Sequence, residues 1–473
     1  MKRIISTLAA ILVWFAADAQ LALPKLVSDN MVLQRETEVR VWGWGAPKAK
    51  VKIDADWLAK PVTCVCDDDG CWERFIATAG DTDTHSMTVS SRGERITVGG
   101  ILFGEVWFCA GQSNMSMPLR GYRNQPVENS ENVVAASDGW PQVRMFTVAK
   151  KIDRAPRRDV MGGSWVSASS GTTAEFSAIG YMFARELCER LKVPVGMINM
   201  SMGGSNVQAW VSRDLLAEFP EVAMRPTDLS SKAPQREQCG LYNSMVHPSI
   251  GYTAKGAIWY QGENNIYTPD LYARMLPAMI GQWRELSGNA DMPFYMVEIA
   301  PYRYKNDDAG AEAEDAALLR EAQHAAVACT ANTDIVCAAD LGELRNIHPP
   351  KKYEIAERLA AVALTKSYGF EGIVCTFPAF AGAETDGDTM KVRFDNVCGG
   401  LHIVPYGGFS GFRIAGDDMV FRDAEAETDG NIVKLRCDGI SEPKYVRYGF
   451  RNDSTATLFD AEGRPAFPFR SDN

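Results

Sequence analysis

A serine hydroxyl becomes a useful nucleophile only when a base within hydrogen-bond reach takes its proton. Ser113 stands in Gly111-Gln112-Ser113-Asn114-Met115, directly after the apolar run Val106-Trp107-Phe108-Cys109-Ala110. A serine that leaves a buried strand and enters a helix exposes its hydroxyl beside unpaired backbone N–H groups. The same position also suits an ordinary helix N-cap. Only five histidines are available as the base. His85 and His402 fall in the β-rich ends of the chain, and His324 lies on the polar side of a predicted helix. His247, in a loop before Pro248, is a possible base. His348 follows the last predicted strand of the α/β region, just before Pro349 and a helix, where a base could meet Ser113.

Three further polar clusters follow apolar runs: Met202-Gly203-Gly204-Ser205, Gln261-Gly262-Glu263-Asn264-Asn265, and the segment from Asp340 to His348. Ligands of open α/β sheets bind outside the carboxyl ends of strands, so all four clusters are placed to share one site. The elements that must hold them there are legible. Val195 to Met200, Ala257 to Tyr260, Phe294 to Ile299 and Asp334 to Ala339 read as short buried strands. Phe176, Ile179, Phe183, Leu187 and Leu191 recur at helical spacing up to Pro194. Further helices are predicted through Leu271, Met275, Met279 and Trp283, with Pro277 as a kink, and over 316–328 and 352–366. Strands alternating with helices imply a mostly parallel, doubly wound sheet. On either side the chain is β-rich, with short runs broken by Gly, Pro and Asp. The expected division is a leader over 1–19, an N-terminal β domain over 20–101, an α/β domain over 102–368 and a C-terminal β-rich domain over 369–473.

The leader rests on Lys2 and Arg3, an apolar run from Ile4 to Ala17, and Ala17-Asp18-Ala19 before Gln20. It predicts export, to the periplasm or beyond, with cleavage near Ala19. No later stretch has the roughly 18 uninterrupted apolar residues of a membrane span, so no membrane anchor is expected. The net charge is −11 and no basic block stands out, which argues against nucleic acid and anionic membrane as partners. Eleven cysteines are scattered without a repeating frame. One or two bridges are open to them, with no connectivity readable. Cys64, Cys66 and Cys71 surround Asp67-Asp68-Asp69-Gly70, which reads as an Asp/Gly hairpin turn rather than a metal site. No histidine–carboxylate or cysteine group has convincing metal-ligand spacing.

The segments GEVWFCAGQSNMSMPL, VPVGMINMSMGGSNVQAW, LYNSMVHP, GAIWYQGENN and DLGELRNIHPPKKYEIAERLA resemble the sialate O-acetylesterase family of the SGNH hydrolase superfamily. The similarity runs from SDNMVLQ at Ser28 to the closing PAFPFRSD. The resemblance implies a flavodoxin-like α/β/α core with flanking β-sandwich-like domains. It also implies hydrolysis of sugar acetyl esters through an acetyl-enzyme, with neither metal nor cofactor. Carried over by position, Ser113 matches the nucleophile and His348 the histidine of the family's IHP motif. Gly204, or Gly203, matches the glycine that gives a backbone N–H to the oxyanion. The third oxyanion donor is one of the side-chain amides of Gln261, Asn264 and Asn265. Each well-placed donor is worth about 3–4 kcal/mol of transition-state stabilisation.

The sequence departs from the family pattern at one place. Many SGNH relatives carry aspartate two or three residues before the histidine, where this chain has Asn346 and Arg345. Glu263 is the first choice for the acid that orients His348. Asp340 and Glu343 are the others, and Asn346 or a backbone group would serve a Ser–His dyad. Two other readings are a polysaccharide esterase acting on acetylated xylan or pectin, and a non-catalytic carbohydrate-binding protein. An arginine near the pocket, Arg120 or Arg123, would favour a sialate, which carries a carboxylate. Trp107, Trp210, Trp259 and Tyr260 suit either sugar stacking or the core.

Overall fold

One strand organises the molecule. In the computed structural model, which describes residues 20–304 and 313–473, strand β7 runs unbroken from Glu94 to Gly111. Before it come β1 (Val32–Gln34), β2 (Glu38–Trp44), β3 (Lys50–Ala55), β4 (Val62–Val65), β5 (Cys71–Ala77) and β6 (His85–Ser91). The first half of β7 pairs antiparallel with β6, and its middle pairs parallel with β1 through Leu102, Phe103 and Gly104. From Glu105 onward the same strand is the centre of a parallel sheet, between β10 (Val195–Ser201) and β11 (Gly256–Tyr260). Outside these lie β8 (Val143–Thr147) on one side, and β12 (Phe294–Val297) and β13 (Thr333–Val336) on the other. β9 (Trp165–Ser167) closes one edge antiparallel to β8. The change of character expected near residue 101 therefore falls inside a continuous strand.

The spatial order is β13-β12-β11-β7-β10-β8-β9. Without the edge pair β8 and β9, this is the flavodoxin-like order 2-1-3-4-5, with β7 as strand 1. The chain leaves β7 toward β10 on one side and later returns to β11 on the other. The crevice of such a switch point opens at the carboxyl end of β7, where Gly111 leads into Ser113. Every residue of β10 and β11 is buried, as strands covered on both faces require. β3, in the flanking β region, instead alternates exposed and buried with period two.

The first β region and the α/β sheet share one continuous apolar core, while residues between Met390 and Ala466 form a second. A buried polar joint fixes β1 and β7 to the chain after the last helix. The Glu105 carboxylate accepts from Gln34 Nε2 at 2.9 Å and from the Tyr368 hydroxyl at 3.0 Å. Gln34 Oε1 accepts from Val106 N–H, and Trp107 Nε1 donates to the Tyr368 oxygen. Trp107, Trp210, Trp259 and Tyr260 are fully buried, so they serve as core.

The helix Pro269–Ser287 runs without interruption through Pro277. The Asp67–Gly70 segment is a turn in which Asp67 Oδ1 accepts from Asp69 and Cys71 N–H. It connects two sheets rather than closing a hairpin, because β4 pairs with β3 and β5 with β2. All eleven cysteines are free. The leader segment lies outside the described residues.

Gly111 has φ +130°, and a Cβ there would stand 2.1 Å from the carbonyl oxygen of Tyr260. Gly111→Ala should therefore lower unfolding free energy by about 3 kcal/mol or more. Gly139→Ala, where nothing lies within 4 Å, should change it by less than about 0.5 kcal/mol. Urea midpoints of the two variants test the difference.

Candidate active site

Where β7 ends, its last residues are pinned on both sides. Gln112 N–H donates to Tyr260 O at 2.9 Å, and Met202 N–H donates to Gly111 O at 2.9 Å. The short helix Ser113–Ser116 starts at once, capped by Gln112 without a side-chain bond. Ser113 is thus the first helical residue and not a cap. It is half-buried between two buried neighbours, and its hydroxyl has no hydrogen-bond partner among the described residues. The Gln112 side chain holds the neighbouring loop: its Oε1 accepts from Gln261 Nε2, Gly262 N–H and Asn264 N–H at 3.2–3.4 Å.

Two bridges bring His348 beside Ser113. Asn114 Nδ2 donates to Ile347 O at 3.0 Å, joining the residues adjacent to the serine and the histidine. The Tyr122 hydroxyl donates to Ser113 O at 3.2 Å, and its ring meets the His348 ring edge-on, 5.1 Å between centres. On the far side of the ring, Nδ1 donates to Gln125 Oε1 at 2.8 Å. That bond leaves Nε2 as the unprotonated nitrogen, and Nε2 has no partner among the described residues. Burial and the nearby Lys352 charge push the His348 pKa down to about 4. The imidazole is therefore neutral across the ordinary pH range and ready to accept a proton.

The other histidines are engaged elsewhere. His247 Nδ1 bonds Arg157 O, and the residue lines a groove against β2 and β5. His85 sits between Asp56 and Asp81, His324 on Glu298, and His402 against Phe459. The carboxylates expected to orient His348 also lie elsewhere. Asp340 forms a bidentate pair with Arg358, and Glu343 accepts from Asn346 Nδ2 at 3.0 Å. Glu263 is buried, and its Oε1 accepts from Asn114 Nδ2 at 2.5 Å. Across the same amide, Lys352 Nζ donates to Asn114 Oδ1 at 2.6 Å, with Lys352 only 1% exposed. Burial pushes the Glu263 carboxyl above the usual range and lowers the Lys352 ammonium to about 7, and attraction between them opposes both shifts.

Donors that could meet a developing oxyanion surround the serine. The N–H groups of Ser113, Gly203 and Gly204 donate to no acceptor among the described residues. Gly203 packs on the serine closely enough that a Cβ there would stand 3.3 Å from Ser113 Cβ. Of the three amides left open by the sequence, two are spent. Gln261 Nε2 donates to Gln112, Ser205 O and Asn265 Oδ1, and Asn265 Nδ2 to Gln208 and Thr268. Asn264 is held by its oxygen, which accepts from Arg236 at 2.7 Å, and its Nδ2 has no partner among the described residues.

Tyr122, Gln125, Asn114 and Lys352 were not singled out from sequence. The turn that carries the first two is a local signal: Tyr122 and Gln125 pair through both backbone bonds, with Asn124 at φ +61°. What sequence does not carry is its partner, His348, which lies 223 residues further on.

Residues 104–365 match the family model described as carbohydrate esterase, sialic acid-specific acetylesterase. The chain is 30% identical over 382 residues to a sialate O-acetylesterase of Homo sapiens, covering 73% of this chain and 72% of that protein. It is 28% identical over 410 residues to the sialate O-acetylesterase of Mus musculus, covering 74% of each. Among solved structures it is similar to a carbohydrate acetylesterase from Xanthomonas citri, with TM-score 0.86 and 34% identity over 96% of this chain and 100% of that one.

The Lys352 shift has a stability consequence. An unfolded chain holds this proton up to the ordinary value of 10.5, whereas the folded chain releases it from about pH 7. Between those limits the unfolded state binds more protons, so this group's contribution to stability rises with pH. The difference in unfolding free energy between wild type and Lys352→Met should therefore grow in favour of wild type from about pH 7 upward. A difference that stays flat would mean Lys352 keeps ordinary proton affinity in the fold.

Proposed function

The chain belongs to the carbohydrate esterase family of sialic acid-specific acetylesterases, and on that premise we propose that it removes O-acetyl groups from sialic acids, with Ser113 as nucleophile and His348 as base. The observation that carries the reading is that the Ser113 hydroxyl and His348 Nε2 are both unspent among the described residues, on segments joined through Asn114 and Tyr122. Nε2 takes the hydroxyl proton as Ser113 Oγ attacks the acetyl carbonyl. The oxyanion is received by the N–H of Ser113, the N–H of Gly204 or its neighbour Gly203, and the Asn264 side-chain amide. Collapse expels the sugar oxygen, which His348 protonates, and leaves Ser113 acetylated. Water activated by the same nitrogen then releases acetate. In this reading Gln261 and Asn265 shape the loop, and Glu263 fixes Asn114.

The substrate half of the proposal rests on charge. Arg236 donates to Asn264 Oδ1 and Gly204 O and has no carboxylate partner among the described residues. Arg123 is likewise unpaired and exposed in the turn that carries Tyr122 and Gln125. Arg120 is paired with Glu175. An unneutralised guanidinium beside the proposed oxyanion donors, with a second in the turn that carries Gln125, suits a sugar that carries a carboxylate. A second reading, an esterase for neutral acetylated polysaccharide, uses the same Ser113 and His348 chemistry and leaves the arginines without a role. No helix among the described residues is long and apolar enough to cross a membrane. With the leader over 1–19, the proposal places the protein outside the cytoplasm, as an N-terminal β unit, an esterase unit and a C-terminal β unit.

Acetate release from acetylated sialic acids, acetylated xylan and acetylated pectin tests the substrate class. Ser113→Ala and His348→Ala should each lose about a thousandfold or more in kcat on whichever substrate is used, with unfolding midpoints near wild type. His247→Ala should keep wild-type kcat. A dead His247 variant beside an active His348 variant would move the base. Arg236→Gln should lower the preference for an acetylated sialic acid over its methyl ester by about tenfold, the value of one exposed charge-assisted contact. An unchanged ratio would leave the carboxylate to other groups.

A further inference from the structure

The residue in contact with Nδ1 of His348 is Gln125, not an acid. A triad carboxylate does two things for a histidine: it fixes the tautomer, and it stabilises the imidazolium that forms when the serine proton is taken. A neutral amide oxygen does the first without the charge of the second. We infer that Gln125 is the positioning residue of this site, holding His348 with Nδ1 protonated and Nε2 open to Ser113 where many SGNH relatives use an aspartate. The inference rests on the proposed roles of Ser113 and His348.

Gln125 is itself held for this task. It closes a four-residue turn with Tyr122 through two backbone bonds, Tyr122 N–H to Gln125 O at 2.9 Å and Gln125 N–H to Tyr122 O at 3.0 Å. Asn124 supplies the positive φ that this turn needs at its third position. Gly121, at φ +79°, lets the chain return so closely that a Cβ there would stand 2.5 Å from Gln125 O. Pro126 follows. The two ends of the turn therefore grip the histidine together, Tyr122 by the ring edge and Gln125 by the nitrogen.

Among the described residues no anion contacts the ring. Asn346, next along the same segment, accepts the backbone N–H of His348 at its Oδ1. The last helix presents Lys352, a cation, which disfavours imidazolium. Glu263 is reached only across Asn114, and Glu343 is exposed on Asn346. Arg123 in the turn is exposed as well. In this surrounding the base stays deprotonated well into acid, so the site keeps its competent form at pH values where a carboxylate-backed histidine would be protonated.

The test is the pH profile of kcat/KM with 4-nitrophenyl acetate, on purified full chain, for wild type, Gln125→Ala, Gln125→Glu and His348→Ala. Gln125→Ala should lose about tenfold or more in kcat with little change in KM, because the ring is free to turn. Gln125→Glu should recover most of that loss at neutral pH. It should also move the acid limb upward by about one pH unit or more, since the new carboxylate stabilises imidazolium. A purely structural role for Gln125 predicts neither the rescue nor the displaced limb. Wild-type kcat in Gln125→Ala, or an acid limb that does not move in Gln125→Glu, overturns the inference while leaving His348 as base. Full activity in His348→Ala would instead overturn the reading on which it rests.

Discussion

A carboxylate and an ammonium group taken out of water each cost several kcal/mol unless something pairs with them. Glu263 and Lys352 are both buried beside Ser113, and one side-chain amide, that of Asn114, serves both. The amide oxygen accepts from the ammonium, and the nitrogen donates to the carboxylate. The same nitrogen donates to Ile347 O, and with that bond the arrangement ceases to be merely structural. Satisfying two buried charges from the residue after Ser113 requires the last helix and the segment before it to lie against the start of the serine's own helix. His348 is then delivered to the serine by the geometry of charge burial, not by a bond of its own. The second oxygen of Glu263 has no partner among the described residues, consistent with a carboxyl pushed toward its neutral form.

This constraint can act only because β7 ends where it does. A strand that serves two sheets is fixed along its whole length, by β6 and β1 at one end and by β10 and β11 at the other. Its last residue has no freedom left: Gly111 lies under Tyr260 O too closely for any side chain. The strand cannot slide in register without losing the polar joint at Glu105, Gln34 and Tyr368. Rigidity at the base of the serine and a charge-held loop around it are what a site needs if its donors are to be in place before the reaction begins.

Much of this was legible in the residues. The buried strands after which Ser113, Gly203, Gln261 and Asp340 stand were readable from unbroken apolar runs, and the helix Lys352–Lys366 has the limits its spacing predicts. The clusters gather at the switch point because topology, not local sequence, sets which strand ends are neighbours, and the α/β alternation restricts that choice severely. What stayed hidden was how equivalent side chains would be spent. Gln261, Asn264 and Asn265 are alike as residue types. Only the fold shows that the first two acceptors near Gln261 and Asn265 consume their donors, leaving the Asn264 amide free. Glu263 was the natural acid by proximity in sequence, yet its partner is the amide of Asn114. Gln125 gave no signal, because a glutamine in a polar turn resembles any surface glutamine until a histidine from the far end of the chain rests on it. The cysteine turn misled for a related reason: turn chemistry is local, but which sheets the flanking strands join is not.

Glu263, held on Asn114, is the one anion placed near the serine among the described residues, and cations outnumber it there although the chain's net charge is −11. Lys352 lies beneath the site, with Arg236 beside the proposed oxyanion donors and Arg123 in the turn that carries Gln125. In ester cleavage by a Ser–His pair, the transition state develops negative charge on the carbonyl oxygen and positive charge on the imidazole. Cations favour the first and oppose the second, and with Glu263 turned to Asn114 a glutamine on the ring does nothing to redress the balance. Such a site suits a reaction whose oxyanion is the greater burden, and a substrate that brings a negative charge of its own. An acetyl ester on an acidic sugar meets both conditions. Its carboxylate, drawn to the arginines, would also offset the field that opposes imidazolium, so that the substrate supplies during the reaction part of the charge the protein leaves out.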